Sequence, residues 1–314
     1  MKTVVTNLIR VLVVGVCCTG LYAQQEPNYS QYMYNTMTIN PAYVGSTDNF
    51  NITANYKAQF TGIDGAPETV NPGLETPVTY NVGLGLNITR DALGPSEDLN
   101  VDGNFSYSIQ LSSQTYLSFG LKAGFRLLNV DFRKGMFNNP NDPAFMNNID
   151  NKFLGVLGAG TYLFSDKWYL GLSTPKLLEN NFGNNTSTGS NNIASEQRHY
   201  FLIAGSVFNL NSRKSLKFKP TTFVKVTNGA PIEADLTGVF IIQDQVEIGG
   251  MYRTGDAAGI LLGYNFTNQL RFGYSFDWSF TNTTGKYNSG SHEVMLRYDF
   301  IYKGKFKIRS PRYF

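Results

Sequence analysis

Every second residue of 270–280 is large and apolar: Leu270, Phe272, Tyr274, Phe276, Trp278 and Phe280. Between them stand Arg271, Gly273, Ser275, Asp277 and Ser279. A period of two marks a β-strand with one apolar and one polar face. Residues 291–300 repeat it, with Val294, Leu296, Tyr298 and Phe300 set against Glu293, Arg297 and Asp299, and with Met295 the exception. The pattern recurs too often along the chain for one buried core to absorb it. A closed barrel, lipid outside and polar within, accounts for it more simply.

The same alternation predicts strands over 50–60, 77–90, 99–111, 115–132, 153–164, 168–175, 198–210, 216–227, 232–242, 245–253, 259–266, 270–280 and 291–302. Short turns fall near Ser112, Asp166, Asn211, Asp244 and Asn268, and longer connections near Asp91, Asn138, Asn184, Asn228 and Asn282. The two sets alternate. In outer-membrane barrels the short turns are periplasmic and the long loops extracellular. That parity leaves 61–76, rich in Gly and Pro, as a long periplasmic loop and makes 50–60 a descending strand. An ascending strand must then come before it, and the only room is a weak one around 36–45. The expected fold is all-β: a single antiparallel transmembrane β-barrel of about 14 strands, an even number as in single-chain bacterial barrels.

Four regions follow. Residues 1–23 read as a signal peptide, with Lys2 and Arg10 basic, 11–16 apolar, and Leu21-Tyr22-Ala23 before the cleavage point. Residues 24–49 form an N-terminal segment rich in Tyr, Asn and Met. It reads as a poor first strand, or as a lumen or periplasmic segment, because Pro41 limits regular pairing. Residues 50–302 are the barrel. Residues 303–314 are a basic C-terminal tail carrying Lys303, Lys305, Lys307, Arg309 and Arg312. That tail reads as a periplasmic segment, either a docking strip for an acidic partner or simply solvated, or alternatively as a strand ending in a terminal aromatic.

Composition agrees with a membrane barrel. Charged residues are 16% and aromatics 14% of the 314-residue chain, against about 25% charged in soluble domains. The net charge of +3 is too weak to argue for nucleic acid. Both cysteines, Cys17 and Cys18, lie in the expected leader, so disulfides and thiolate metal sites drop out. An exported chain of this pattern is expected in the outer membrane of a Gram-negative cell.

Chemistry is sparse. His199 and His292 each begin a strand at the long-loop end, where rim hydrogen bonding is the expected role rather than metal binding or acid–base work. Ser291-His292-Glu293 is no triad, because neighbouring strand residues point to opposite faces. Gly83-Leu-Gly85 and Gly249-Gly250 lie within strands with no helix following, so they are not phosphate loops. No catalytic, cofactor or metal site is expected. The inward charges Lys122, Arg126, Glu247, Arg253, Arg271, Asp277, Glu293, Arg297 and Asp299 are mixed in sign. A selective pore favours one sign, so mixed signs read as an ion-pair network bracing a narrow or plugged lumen.

Several stretches, in order, resemble the PorP/SprF membrane proteins of the type IX secretion system and its gliding machinery. They are Ser30-Gln-Tyr-Met-Tyr34, Asn40-Pro-Ala-Tyr43 with Gly45, Gly62-Ile-Asp-Gly-Ala-Pro67, Gly94-Pro95, Leu117-Ser-Phe-Gly-Leu121, Asp142-Pro-Ala-Phe145, Arg198-His-Tyr-Phe201, Gly273-Tyr-Ser-Phe-Asp277 and Ser291-His-Glu293. The end, Ser310-Pro-Arg-Tyr-Phe314, resembles the SprF-like branch. The resemblance implies a barrel without enzymatic activity or cofactor. Its implied partners are outer-membrane lipid, the C-terminal sorting domain of a large secreted adhesin, and periplasmic ring or linker proteins. It implies no ligand-contact residue. A general diffusion porin is the alternative reading, and an outer-membrane hydrolase a third.

Overall fold

The computed structural model describes residues 28–47, 49–134, 148–180, 185–186, 189–190, 196–211, 213, 215–281 and 289–301. Among them the chain forms a closed antiparallel barrel of fourteen strands. These are β1 Phe50–Ala58, β2 Glu68–Pro77, β3 Val82–Leu93, β4 Ser96–Gln110, β5 Thr115–Val130, β6 Ile149–Ser165, β7 Trp168–Thr174 and β8 His199–Ser206. They continue with β9 Leu216–Thr227, β10 Glu233–Ile242, β11 Val246–Arg253, β12 Ala257–Asn265, β13 Leu270–Ser279 and β14 Ser291–Phe300. A two-residue piece, Phe208–Asn209, extends β8 along β9. Each strand pairs with its sequence neighbour, and β14 closes on β1 from Phe50↔Phe300 to Ala58↔His292. Residues 303–314, read from the sequence as a tail or a strand, lie outside the described residues.

The alternation seen in the sequence is the two faces of this wall. Phe119, Leu121 and Phe125 face outward on β5, while Ser118 and Lys122 are buried inside. Aromatic girdles ring both ends, as lipid-water interfaces favour. Tyr107, Trp168, Phe266 and Tyr298 lie toward the short-turn rim, and Phe153, Tyr200, Tyr252 and Trp278 toward the other.

The expected strand number holds, but one of the strands is different. Residues 36–45 do not pair with the wall: they carry 3-10 turns at Thr36–Thr38 and Pro41–Tyr43 and lie inside the barrel. The missing strand is β2, in the stretch expected to be a loop. Val70, Pro72 and Leu74 face out, and Thr69, Asn71 and Glu75 face in. Pro72 and Gly73 conceal this pattern. The missing N–H of Pro72 is tolerated because the ladder to β3 is interrupted there, between Val70↔Arg90 and Gly73↔Asn87. The alternation through Val78 and Tyr80 also made 77–90 read as one strand. Residues 78–81 are instead the β2–β3 hairpin turn, with Val78 N–H donating to Val82 O at 2.8 Å.

This correction reverses β1. The chain enters β1 at the short-turn rim and ascends, and 59–67 joins the rim of long loops. Backbone bonds Gly94 N to Gly65 O (2.9 Å) and Thr61 N to Gly290 O (2.9 Å) tie it there. The strand ends that the long connections 131–148, 175–198 and 280–290 join lie at the same rim, so it is the outer mouth by the loop-length rule. Residues 61–76 are therefore not a periplasmic loop.

Candidate functional site

The barrel is filled by its own N-terminal segment. Residues 28–47 descend from the outer rim through the lumen and leave at the inner rim into β1. Their composition explains why they stay there: Tyr32, Met33, Met37, Ala42, Tyr43 and Val44 are all at most 2% exposed. They share a cluster with wall residues Tyr162, Tyr169, Ile203, Phe223 and Met295. Met295, the break in the β14 alternation, is inward because it packs on this segment. The backbone polar groups of an irregular segment need partners, and the wall provides them. Lys122 Nζ donates to Thr38 O (3.0 Å), Ser173 Oγ to Ile39 O (2.7 Å) and Ser106 Oγ to Val44 O. Asn40 caps the Pro41–Tyr43 turn through Ala42 N–H (3.0 Å), while its amide nitrogen reaches Thr161 O (3.0 Å). Where the plug backbone touches the wall, glycine makes room. A Cβ on Gly120 would collide with the backbone of Pro41 and Ala42, and one on Gly83 with the Val44 carbonyl. Gly83 therefore serves close approach of a second segment, a reason distinct from phosphate binding.

The upper end of the plug is latched by charge. Glu293 accepts from Ser30 N–H (2.7 Å) and Gln31 N–H (3.3 Å), and Ser30 Oγ donates to Asp277. Lys57 sits between, 3.2 Å from Asp277 and 3.6 Å from Glu293, with its ammonium donating to Ser30 Oγ at 2.9 Å. Above it Lys225 donates to Asn28 and pairs with Glu233 at 3.0 Å. Lower down, Tyr34 donates to Glu247, and its ring lies under Lys219 and Arg271. Arg297 donates to Tyr34 O (3.2 Å) and the Tyr43 hydroxyl (3.4 Å).

All the inward charges expected from the sequence do face the lumen, each in an ion pair. Arg126 pairs with Asp98 and Glu196, Arg253 with Asp235 (2.8 Å), Arg271 with Glu247 (2.8 Å), and Lys122 with Asp102 (3.5 Å). Lys57, Glu75, Asp102 and Asp235 complete the network. Sequence reasoning did not single them out, although Lys57 falls on the inward phase of β1. The stretches Ser30–Tyr34, Gly273–Asp277 and Ser291–Glu293 meet at the Lys57 latch.

The histidines do not meet. Both lie toward the outer rim, but His199 is buried in the lumen while His292 faces outward. His292 Nδ1 is 2.8 Å from the Tyr274 hydroxyl. Among the described residues no group of His, Cys, Asp and Glu could hold a metal ion. The expected leader 1–23 and the tail residues Lys303, Lys305, Lys307, Arg309 and Arg312 lie outside the described residues.

Beside the plug, between it and the wall from β3 to β9, lies a cavity of about 260 Å³ on the outer-rim side. Asp98 and Glu196 line its mouth, and Tyr32, Thr38 and Ile39 of the plug form its floor.

Among solved structures, the monoaromatic hydrocarbon channel CymD is similar, with a TM-score of 0.51 at 10% identity over 86% of this chain and 94% of that one. The Acinetobacter baumannii outer membrane protein Omp33 gives 0.46 at 8% identity, covering 82% of this chain and 100% of that one. The Ralstonia pickettii toluene transporter TbuX gives 0.45 at 10%, covering 84% and 92%. At these identities the likeness is one of fold. No curated protein matches the sequence. The model of the type IX secretion system membrane proteins PorP/SprF matches residues 21–298, so it takes in the plug, the latch and nearly the whole barrel, and the chain belongs to that family.

Proposed function

We propose that this chain is a non-enzymatic outer-membrane component of the type IX secretion and gliding machinery. It supports secretion or surface anchoring of a large adhesin through that protein's C-terminal sorting domain, and it docks periplasmic ring or linker proteins. The observation that carries the reading, beside family membership, is that the lumen is filled by 28–47. A barrel stopped by its own chain is poorly suited to conducting cargo or solutes, so its work falls to its rims and lipid face. The outer rim presents the long loops to a surface protein. The inner rim leads on to the tail, whose Lys303, Lys305, Lys307, Arg309 and Arg312 are the proposed docking strip for an acidic partner.

Affinity purification of the tagged protein from gently solubilised outer membranes tests this. Recovery of a large surface protein through its C-terminal domain supports the anchoring role. Ring or linker proteins alone shift the role to a tether, and recovery of the barrel by itself contradicts both. A general porin is the second reading, favoured only by the fold.

A further inference from the structure

We infer that the plug is tied covalently to the wall: Lys225 of β9 and Asn28 of the plug react to form an amide between their side chains, with Glu233 of β10 carrying the proton.

The three groups meet near the outer rim. Lys225 and Glu233 are direct cross-strand partners, and Lys225 Nζ lies 3.0 Å from Glu233 Oε1. The same Nζ touches the side-chain oxygen of Asn28. That oxygen is bonded to Cγ, the carbon to be attacked. Glu233 also hydrogen-bonds the Asn28 side chain. A carboxylate accepts only from the amide nitrogen, so Glu233 faces the group that must leave. Lys225 is 9% and Asn28 8% exposed, so bulk water competes little for either. Aromatic residues flank them: Phe201 is the partner of Lys225 on β8, Phe223 is next on the same face of β9, and Tyr29 follows Asn28. Arg253 is 3.6 Å from Glu233 but is itself held by Asp235 at 2.8 Å and by Asp256 at 3.6 Å.

The Lys225 ammonium passes one proton to the Glu233 carboxylate, and the neutral amine attacks Asn28 Cγ with its lone pair. The new N–C bond forms as the carbonyl π pair moves onto Oδ1. Glu233 gives its proton to Nδ2, the Cγ–Nδ2 bond breaks as the carbonyl re-forms, and ammonia leaves. The proton shed by the new amide nitrogen returns to Glu233 and departs with the ammonia as ammonium. Nothing is oxidised or reduced, and Glu233 ends as the carboxylate it began. Amides resist amines in water, but fixed intramolecular contact is worth an effective concentration on the order of 10⁵–10⁸ M, and an amine in an apolar pocket is the activated nucleophile. The bond fastens the outer end of the plug to β9, so the segment cannot be drawn out of the mouth even when the ion pairs below it open. The inference does not rest on the secretion role and stands or falls separately.

The test is mass spectrometry of the full-length protein purified from outer membranes. The folded chain is expected to be lighter by one ammonia than its sequence and termini require, and to give on proteolysis a branched peptide joining Asn28 to Lys225. Lys225→Arg, which keeps the charge, should restore that mass and abolish the branched peptide. Glu233→Gln should leave most chains unjoined, since a positioned acid–base group is worth on the order of 10²–10⁴ in rate. Heat-modifiable gel migration verifies that each variant is folded. Three results overturn the proposal: a folded parent with no branched peptide, an ammonia loss that persists in full in Lys225→Arg, or a branched peptide formed undiminished in Glu233→Gln.

Discussion

Replacing Lys57 by methionine should loosen the plug where it is held most tightly. The ammonium is 2% exposed and lies 3.2 Å and 3.6 Å from two carboxylates that are themselves almost fully buried. At an effective dielectric of about 20, each pair is worth about 5 kcal/mol of Coulomb attraction before desolvation is subtracted. The net value of such a pair is small, but removing one partner leaves a stranded buried charge, at a typical cost of about 3–5 kcal/mol. Here Asp277 and Glu293 would also face one another without the cation between them. Lys57→Met should therefore lower barrel stability by about 3 kcal/mol or more. Trp168 and Trp278 are the only tryptophans and serve as reporters for urea unfolding in lipid. The neutral triple variant Lys57→Met/Asp277→Asn/Glu293→Gln should recover most of the loss, because what destabilises is uncompensated charge. A Lys57→Met barrel within about 1 kcal/mol of the parent would refute the reasoning, since only water-screened pairs are worth so little.

Gly120→Val should push Ala42 off the wall, cost about 1–3 kcal/mol by overpacking, and make 28–47 cleavable by added protease in an otherwise folded barrel. Ile63→Cys, in the 59–67 connection, should react with a membrane-impermeant maleimide on intact cells. Tyr80→Cys, at the β2–β3 turn, should react only after the outer membrane is opened; the reverse pattern would undo the assigned orientation. Deleting 303–314 should leave a folded, heat-modifiable barrel that no longer co-purifies with periplasmic partners, and a tail-less chain that never assembles would contradict the proposed docking role.

Most of the wall was legible because lipid and lumen impose opposite demands on alternate residues, as 270–280 illustrates. What misled was local chemistry overriding that code. Pro72 and Gly73 read as loop residues, yet Pro72 sits where the ladder is broken and Gly73 faces the plug, 2.8 Å from Met37 Cε if a Cβ were added. Val78 and Tyr80 kept the rhythm through a turn because lipid-interface aromatics belong there. The plug was legible only as one of several readings of 24–49, a poor first strand or a lumen or periplasmic segment: the stretch is rich in Tyr, Met and Asn but has no period. A segment surrounded by wall on every side has no face to alternate. The nine inward charges implied a closed lumen by their mixed signs, but not which segment closes it.

The central claim is that this chain closes its own lumen, and single-channel recording of the purified full-length protein in a planar bilayer tests it most directly. The account predicts no steady large conductance from the intact chain, and a steady conductance once 28–47 is deleted. A large, stable open current from the full-length protein would contradict it.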